Sequence, residues 1–529
     1  MNPKLTQLRT IITENLRIQR GGGSLPSYID VSHSVGDVTS KQNHAIFARR
    51  GCGKTLLLHH SSSKLAGDVR PIYLNCEDFK HHSFPNVLIE VLDALFAELE
   101  SHLSGWFGRK KKTRQLIQDI RKQLADRRCA ADLQREDVRQ VTALESQEFA
   151  SMGGSLKAGG VGANASATSR SKARQETDRS FSVHTSKIRD LNAWLPQLKA
   201  QLRQFFSSSK AVKAVILQID DFYHLRRADQ PFVVDYIHRL CKDLPLYFKV
   251  ATLRHASNLY ADRAGQPIGA QERHDYQPID IDFTFRDFSR TRDQNREILH
   301  AFGHMAGMSK PEVDALFKGE GFDRLVMAGG GVPRDTLSLF LEVLATVQSQ
   351  GGDRIGKDDV RVLSRSNLER RVQELKQDSE GGEQDALMRG IYVLREFCLG
   401  KQTNVFLVSE QMLQQRDEVR DLIHRLLDYR IIHNAAVALT HKSQPGTYQA
   451  FAIDIGCYAH LRKLDKKFDE LDISRSDAKE RMRSAPILAA ADFDKLWQST
   501  PHDVESKLLV DSGLQDDADD ERPQAGARA

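Results

Sequence analysis

An α/β fold built around a parallel sheet is what this 529-residue chain predicts. Three observations carry that expectation. Apolar runs of strand length alternate with helix-period patterns, the order of strand, crossover helix and parallel strand. One run, HAIF from His44 to Phe47, passes through ARRGCGKT (residues 48 to 55) into a helix-compatible stretch, Leu56 to His60. Another, AVKAVILQIDDF from Ala211 to Phe222, is almost continuously apolar and ends on two acids. Runs without alternation belong to strands covered on both faces.

The length exceeds what one hydrophobic core supports, so several domains of roughly 100 to 200 residues are expected. Residues 1 to 40 read as a helix and linker, with a GGGS hinge at Gly21 to Ser24 and a lead-in containing Tyr28, Ile29 and Asp30. The core is expected over 41 to 104 and 191 to 288. Its second strand is PIYLN, Pro71 to Asn75, followed by a helix with Val87, Val91, Leu92, Leu95 and Leu99 on one face. The pattern breaks over 105 to 190, which reads as a basic helical hairpin inserted into the core, with a Gly-rich tip from Gly153 to Ser171. Its return helix is marked by Val183, Ile188, Leu191, Leu195, Leu198, Leu202 and Phe205 at spacings of mostly three and four. The core resumes with the Ala211 to Phe222 strand, a helix from Val233 to Lys242, and strands over Leu246 to Thr252 and Gln277 to Phe283, making five strands.

Residues 289 to 377 read as a helical lid containing GGGVPRDTL, with boundaries at Gly351 to Asp353 and Asp378 to Gln384. From 385 to 465 the order is helix, short strand, helix, IIHNAAVAL, a turn at SQPG, and TYQAFAIDI, that of a winged helix. The remainder, 466 to 529, reads as a helical segment and a disordered acidic tail.

Composition narrows the classes. Hydrophobic residues make up 40%, charged residues 28%, and the formal net charge is +5. A basic surface must therefore come from uneven distribution, and nucleic-acid binding is permitted, not implied. The six cysteines, Cys52, Cys76, Cys129, Cys241, Cys398 and Cys457, form no C-x-x-C pair and no zinc-spaced group with histidine. They read as small buried hydrophobes in a reducing compartment. No signal peptide and no run of about 18 apolar residues is present. The expected location is the cytoplasm, with no membrane partner.

ARRGCGKT departs by one residue from G-x-x-x-x-G-K-[ST], with Ala48 in place of the first glycine. Alanine is the smallest substitute, and Gly51 and Gly53 keep the permissive backbone. In a strand, loop, helix unit the segment Ala48, Arg49, Arg50, Gly51, Cys52, Gly53, Lys54 and Thr55 wraps a triphosphate, Lys54 reaching the β/γ-phosphates and Thr55 ligating Mg²⁺. ATP and Mg²⁺ are the expected ligands. An acid at the end of a buried parallel strand faces this loop across the sheet's carboxyl edge. Asp220 is placed for the Mg²⁺ sphere, and Asp221 to orient or deprotonate an attacking water.

These parts together resemble an AAA+ ATPase of the ASCE P-loop class: an extra strand between loop strand and acid strand, a polar residue ending the next strand, and an arginine heading a helix beyond the fifth. GGGVPRDTL is similar to the G-x-P-R sensor 2 motif of the origin recognition complex and archaeal initiator ATPases, and a following winged helix fits that clade. The resemblance covers about residues 30 to 460 apart from the insertion. It implies that Thr252 is sensor 1, with Arg254 the competing choice, and that Arg334 is sensor 2. An arginine finger would precede the fifth strand, with Arg273 the nearest candidate and Arg263 the next. Asp221 stands where the family usually has glutamate, one methylene longer, so slow ATP hydrolysis is expected. The Asp-Asp ending is also similar to that of STAND signalling NTPases, which likewise join a P-loop module to a winged helix.

For nucleic acid, the candidate reading helix spans Asp417 to Tyr429 with Arg416, Arg420, His424 and Arg425 beside four acids, and the wing turn carries His441 and Lys442. Arg109, Lys110, Lys111, Lys112, Arg114, Arg121, Lys122, Arg127 and Arg128 make the insertion the better electrostatic candidate for duplex DNA. Trp106, Phe107 and Phe181 are too few for a single-strand stacking groove. The expected function is an ATP-binding, slowly hydrolysing AAA+ switch that assembles on DNA, with itself or with partner proteins, in a replication, transposition or antiviral defence system. The alternative is a STAND-like scaffold that oligomerises to activate a separate effector without binding DNA.

Overall fold

Four strands, β1 (His44–Phe47), β2 (Val69–Asn75), β3 (Ala214–Asp220) and β4 (Leu246–Thr252), are followed by a hairpin of β5 (Tyr260–Arg263) and β6 (Gln266–Gly269), and then by β7 (Gln277–Asp280). β1 to β4 and β7 form one sheet in the order β2-β3-β4-β1-β7, every pairing parallel. The computed structural model describes residues 3–16, 28–30, 33–101, 109–129, 187–209, 212–263, 265–379, 381–458, 468–501 and 504. The hinge at Gly21 to Ser24, the insertion tip at Gly153 to Ser171 and the acidic tail fall outside them, as do the side chains of Lys110, Lys112 and Arg263.

β1 and β3 are buried along their whole length, as continuous apolar strands between two helical layers must be. β7 is shorter than the predicted Gln277 to Phe283. Its neighbour β1 ends at Phe47, so after the Ile281 amide bonds the Phe47 carbonyl (3.2 Å) the chain has no partner left and turns away. The hairpin of β5 and β6 was not predicted; it packs on the helix Gln230–Cys241.

The inserted helices are part of the core's packing. The helix Arg109–Cys129 buries Ile117, Ile120 and Leu124, and the helix over 187–208 buries Leu191, Trp194, Leu198, Leu202 and Phe205, in the same cluster as the sheet. Two cations of the basic run are paired with acids there, and a third lies over an aromatic ring. Arg121 reaches Asp93 (3.0 Å) and Glu100 (2.9 Å), Arg128 reaches Glu90 (2.8 Å) and Asp93 (3.0 Å), and Arg127 lies 4.4 Å from the Trp194 ring centre. The three acids lie on the helix Asn86–Ser101.

The segment read as a lid comprises the helices Phe288–Met305, Lys310–Asp314, Gly321–Ala328, Pro333–Ser349 and Lys357–Asp378. The N-terminal helix Pro3–Asn15 buries Leu5, Leu8 and Ile12 in the lid, not against the sheet. The boundary expected at Asp378 to Gln384 is narrower, because the next helix, Gly381–Lys401, begins within it. Then come β8 (Val405–Ser409), the helices Glu410–Gln415 and Asp417–Asp428, β9 (Ile432–Thr440) and β10 (Thr447–Ile453), with the antiparallel sheet ordered β8-β10-β9. This C-terminal unit and the lid share one hydrophobic core.

Candidate nucleotide site

The loop after β1 is shaped by two glycines in the left-handed region, Gly51 (φ +86°) and Gly53 (φ +89°), conformations that cost a side-chain-bearing residue about 1 kcal/mol or more. Gly53 is the N-cap of the helix Lys54–Ser62, so the helix's first amides face the loop, where an anion is favoured. Lys54 is buried, and its Nζ donates to the carbonyls of Ala48 (2.9 Å) and Arg49 (3.3 Å). Burial lowers its ammonium pKa, against the raising charges of Asp221 and Asp220.

β3 delivers the acids, and β2 a tyrosine that meets one of them. Asp220 is fully buried at the end of β3; its Oδ2 accepts from Thr55 Oγ1 (2.6 Å) and from the Tyr73 hydroxyl (2.7 Å). Its Oδ1 accepts from the Asp221 amide (2.9 Å). Burial and the Asp221 charge raise the Asp220 carboxyl above the usual carboxylate range, while the Thr55 and Tyr73 hydrogen bonds pull it down. Asp221 follows in a left-handed conformation (φ 50°), turning the chain sharply at the sheet edge. Beyond it the Tyr223 ring lies 4.6 Å from the Arg50 guanidinium and 6.0 Å from Lys54 Nζ.

Among the described residues no group of three or more His, Cys, Asp or Glu side chains converges to hold a metal unaided. Thr55 and Asp220, a hydroxyl and a carboxylate, are hard oxygen donors of the kind Mg²⁺ takes, and Mg²⁺ usually completes its sphere with phosphate oxygens and water. The chemistry of this pair and the glycine cradle beside it therefore fit a Mg²⁺-nucleotide.

The other predicted residues divide. Thr252 is buried and in register with Phe47; its carbonyl accepts from the Ala48 amide (3.3 Å), and its hydroxyl is hydrogen-bonded to Ser257. Arg254 makes a bidentate contact with Asp280 (2.9 and 2.8 Å) and stacks 4.1 Å over Phe47, which ties it to the sheet edge. Arg334 is brought to the loop. Its amide donates to the Gly51 carbonyl (3.3 Å), and a Cβ on Gly51 would stand 2.8 Å from that of Arg334. Arg273 is exposed, in a left-handed turn before β7 (φ 67°), its amide bonded to the Tyr276 carbonyl (2.8 Å).

Arg49 belongs to the loop through its backbone. Its side chain is buried against Asp282, Nε to Oδ2 at 2.7 Å and Nη2 to Oδ1 at 2.9 Å, and its amide bonds the same carboxylate (3.0 Å). Burial alone would raise the Asp282 carboxyl, but Arg49 holds it below the usual range. Asp282 was missed by sequence reasoning, although it stands near the end of the strand expected over Gln277 to Phe283.

Strand β4 stands between the loop strand β1 and the acid strand β3, and a lid arginine meets the loop. The fold is α/β, a five-stranded parallel sheet with a glycine loop leading from its first strand into a helix. No protein-family model and no curated protein matches the chain. Solved structures similar to it include the ORC2 protein of Aeropyrum pernix, in complexes with ADPNP and ADP, at 11% identity over 94% of each chain with a TM-score of 0.36. A Walker-type ATPase of Pyrococcus abyssi is 11% identical over 82% of this chain and 95% of its own, TM-score 0.36. The Aeropyrum pernix ORC1 protein in complex with DNA is 13% identical over 85% and 88%, TM-score 0.30.

The nucleic-acid candidates of the C-terminal unit are largely engaged within the chain. Arg420 pairs with Asp417 (2.8 Å), Arg416 with Asp494 (2.8 Å), Arg425 with Glu383 and Lys442 with Glu480 (3.1 Å). His441 Nδ1 accepts from the amides of Ser443 (3.2 Å) and Gln444 (3.1 Å). The end of the candidate reading helix is docked on the core. Buried Asp428 accepts from the amides of His255 (3.0 Å) and Ala256 (2.7 Å), and His424 stacks on His255 at 4.1 Å. On the insertion Lys111 is exposed and Arg114 half-buried.

Proposed function

We propose that this chain is a nucleotide-operated switch that binds ATP with Mg²⁺ and hydrolyses it slowly. One observation carries the reading: a glycine cradle holding a buried lysine, a Thr55–Asp220 pair and a lid arginine meet at one edge of a parallel sheet. Lys54 and the first amides of its helix would receive the β/γ-phosphates in place of the loop carbonyls that Lys54 now bonds. Thr55 and Asp220 would hold Mg²⁺, whose bound charge neutralises the phosphates. Asp221 is the residue for positioning the attacking water, and its short side chain on a sharply turned backbone supports slow turnover. Arg334, reaching the loop from the lid, makes lid position respond to the terminal phosphate.

The C-terminal unit is read as a winged helix, and its docking favours a switch whose output is released by nucleotide state, through self-assembly or an effector partner. Duplex DNA binding is assigned to Lys110, Lys111, Lys112 and Arg114, a run of closely spaced cations suited to neutralising phosphates. ATP hydrolysis and oligomer size, each measured with and without duplex DNA, test the proposal on the native chain, Lys54→Ala, and a chain with Lys110, Lys111 and Lys112 changed to Glu. Hydrolysis abolished in the first variant, and DNA stimulation abolished in the second, are expected. ATP-driven oligomers indifferent to DNA would favour the scaffold reading, and absence of nucleotide binding would refute both.

A further inference from the structure

The C-terminal unit reaches the loop through one buried side chain. Arg430, just past the helix Asp417–Asp428, has φ 63° and a side chain only 1% exposed. Its Nη1 donates to the Arg50 carbonyl of the loop (3.1 Å) and to Asp335 Oδ1 (3.4 Å), and its Nη2 donates to Glu374. Arg371 closes the arrangement, bonding Asp335 (3.1 Å), the Arg430 carbonyl (3.1 Å) and Asp454. Burial alone would raise the Asp335 carboxyl, but Arg430 and Arg371 hold it at about 2. A second strand of the same clasp runs from Arg49 Nη1 to His433 Nδ1 (3.4 Å) and from His433 Nε2 to Asp454 (3.1 Å).

Glu374 is shared. Arg334, the lid arginine at Gly51, has its Nη2 3.7 Å from the Glu374 carboxylate, which Arg430 also engages. We propose that Arg430 is a positioning residue of the nucleotide site, supplied by the C-terminal unit: it braces the loop at the Arg50 carbonyl and competes with Arg334 for Glu374, weakening the pair that would otherwise hold Arg334 away from a terminal phosphate. The inference rests on the nucleotide-switch reading above. It makes docking of the C-terminal unit a condition for preferring ATP over ADP, because undocking removes Arg430 and leaves Glu374 to capture Arg334. By reciprocity, a triphosphate stabilises the docked arrangement more than a diphosphate does.

The test is equilibrium binding of ATP and of ADP, each with Mg²⁺, to the full chain, to Arg430→Met, and to Arg430→Met combined with Glu374→Gln. Loss of a charge-assisted contact predicts a rise in the ATP Kd of about ten-fold or more, a smaller rise for ADP, and partial recovery of ATP binding in the double variant. A purely structural role would shift both nucleotides by the same factor with no recovery, and that result overturns the proposal. If Arg430→Met does not fold, amide hydrogen exchange over residues 430–434 of the native chain decides. Slower exchange with a non-hydrolysable ATP analogue than with ADP supports the clasp, and equal exchange overturns it. A native chain that binds neither nucleotide refutes the underlying reading as well, whereas normal binding with an indifferent Arg430→Met refutes only the role of Arg430.

Discussion

Replacing Asp282 with asparagine keeps the shape of the group that anchors the loop and removes its charge. In the native chain that carboxylate receives two guanidinium contacts and one amide from Arg49, with side-chain exposures of 8% for Arg49 and 13% for Asp282. Breaking a buried pair on one side leaves an uncompensated charge and typically costs about 3–5 kcal/mol. Asparagine with its oxygen at the Oδ2 position can still accept two of the three donors, so a cost at the low end, about 3 kcal/mol, is expected in the unfolding free energy of the core, read by urea titration. The pH dependence should change with it. A carboxyl whose folded pKa lies below its unfolded value contributes stability above the unfolded pKa, and that stability is lost as pH falls through the folded value. Asp282→Asn should therefore flatten the acid limb of the stability curve below about pH 4. Adding Arg49→Met should restore part of the loss, because both charges are then gone. A cost below about 1 kcal/mol, the scale of an exposed ion pair, or an unchanged acid limb would refute the claim that this pair pins the loop.

Two further outcomes follow from named contacts. Burial raises the Asp428 carboxyl to about 7, so its contribution to stability is complete below the unfolded carboxylate value near 4 and is lost as pH rises through about 7; Asp428→Asn, which keeps an acceptor for the His255 and Ala256 amides, should remove that slope, and a retained slope would show that another group produces it. Tyr73→Phe deletes a donor that holds Asp220 ionised, worth about 1 kcal/mol; half-maximal Mg²⁺ in ATP hydrolysis should rise roughly five-fold and the acid limb of the rate should move to higher pH, whereas identical Mg²⁺ and pH profiles would sink the assignment.

What was legible in the sequence is what is local. β1, the loop and the helix after it are contiguous, and the Ala214–Asp220 strand announces itself by a run too apolar for a half-exposed strand. Arg334 was singled out by the likeness of GGGVPRDTL to a sensor 2 motif. Asp282 and Arg430 were not, since each has a distant partner, Arg49 in one case and the Arg50 carbonyl with Asp335 and Glu374 in the other. The basic run of 109 to 128 read as the better electrostatic candidate for DNA, although Glu90, Asp93 and Glu100, which pair with two of its arginines, were visible on the preceding helix. Spacing within one helix does not say which face its neighbour covers. The hairpin of β5 and β6 escaped because YADR and QPIG are short, partly polar and interrupted by proline, and they are held by the helix beside them, not by their own propensity.

The account depends most directly on Lys54 meeting phosphates in the cradle formed by Gly51 and Gly53. Equilibrium binding of ATP in the presence of Mg²⁺, compared between the native chain and Lys54→Ala by calorimetric titration, measures that alone. Saturable binding to the native chain, weakened about ten- to hundred-fold or more in the variant, is the predicted result. No binding by the native chain, or equal affinity in the two, would contradict it.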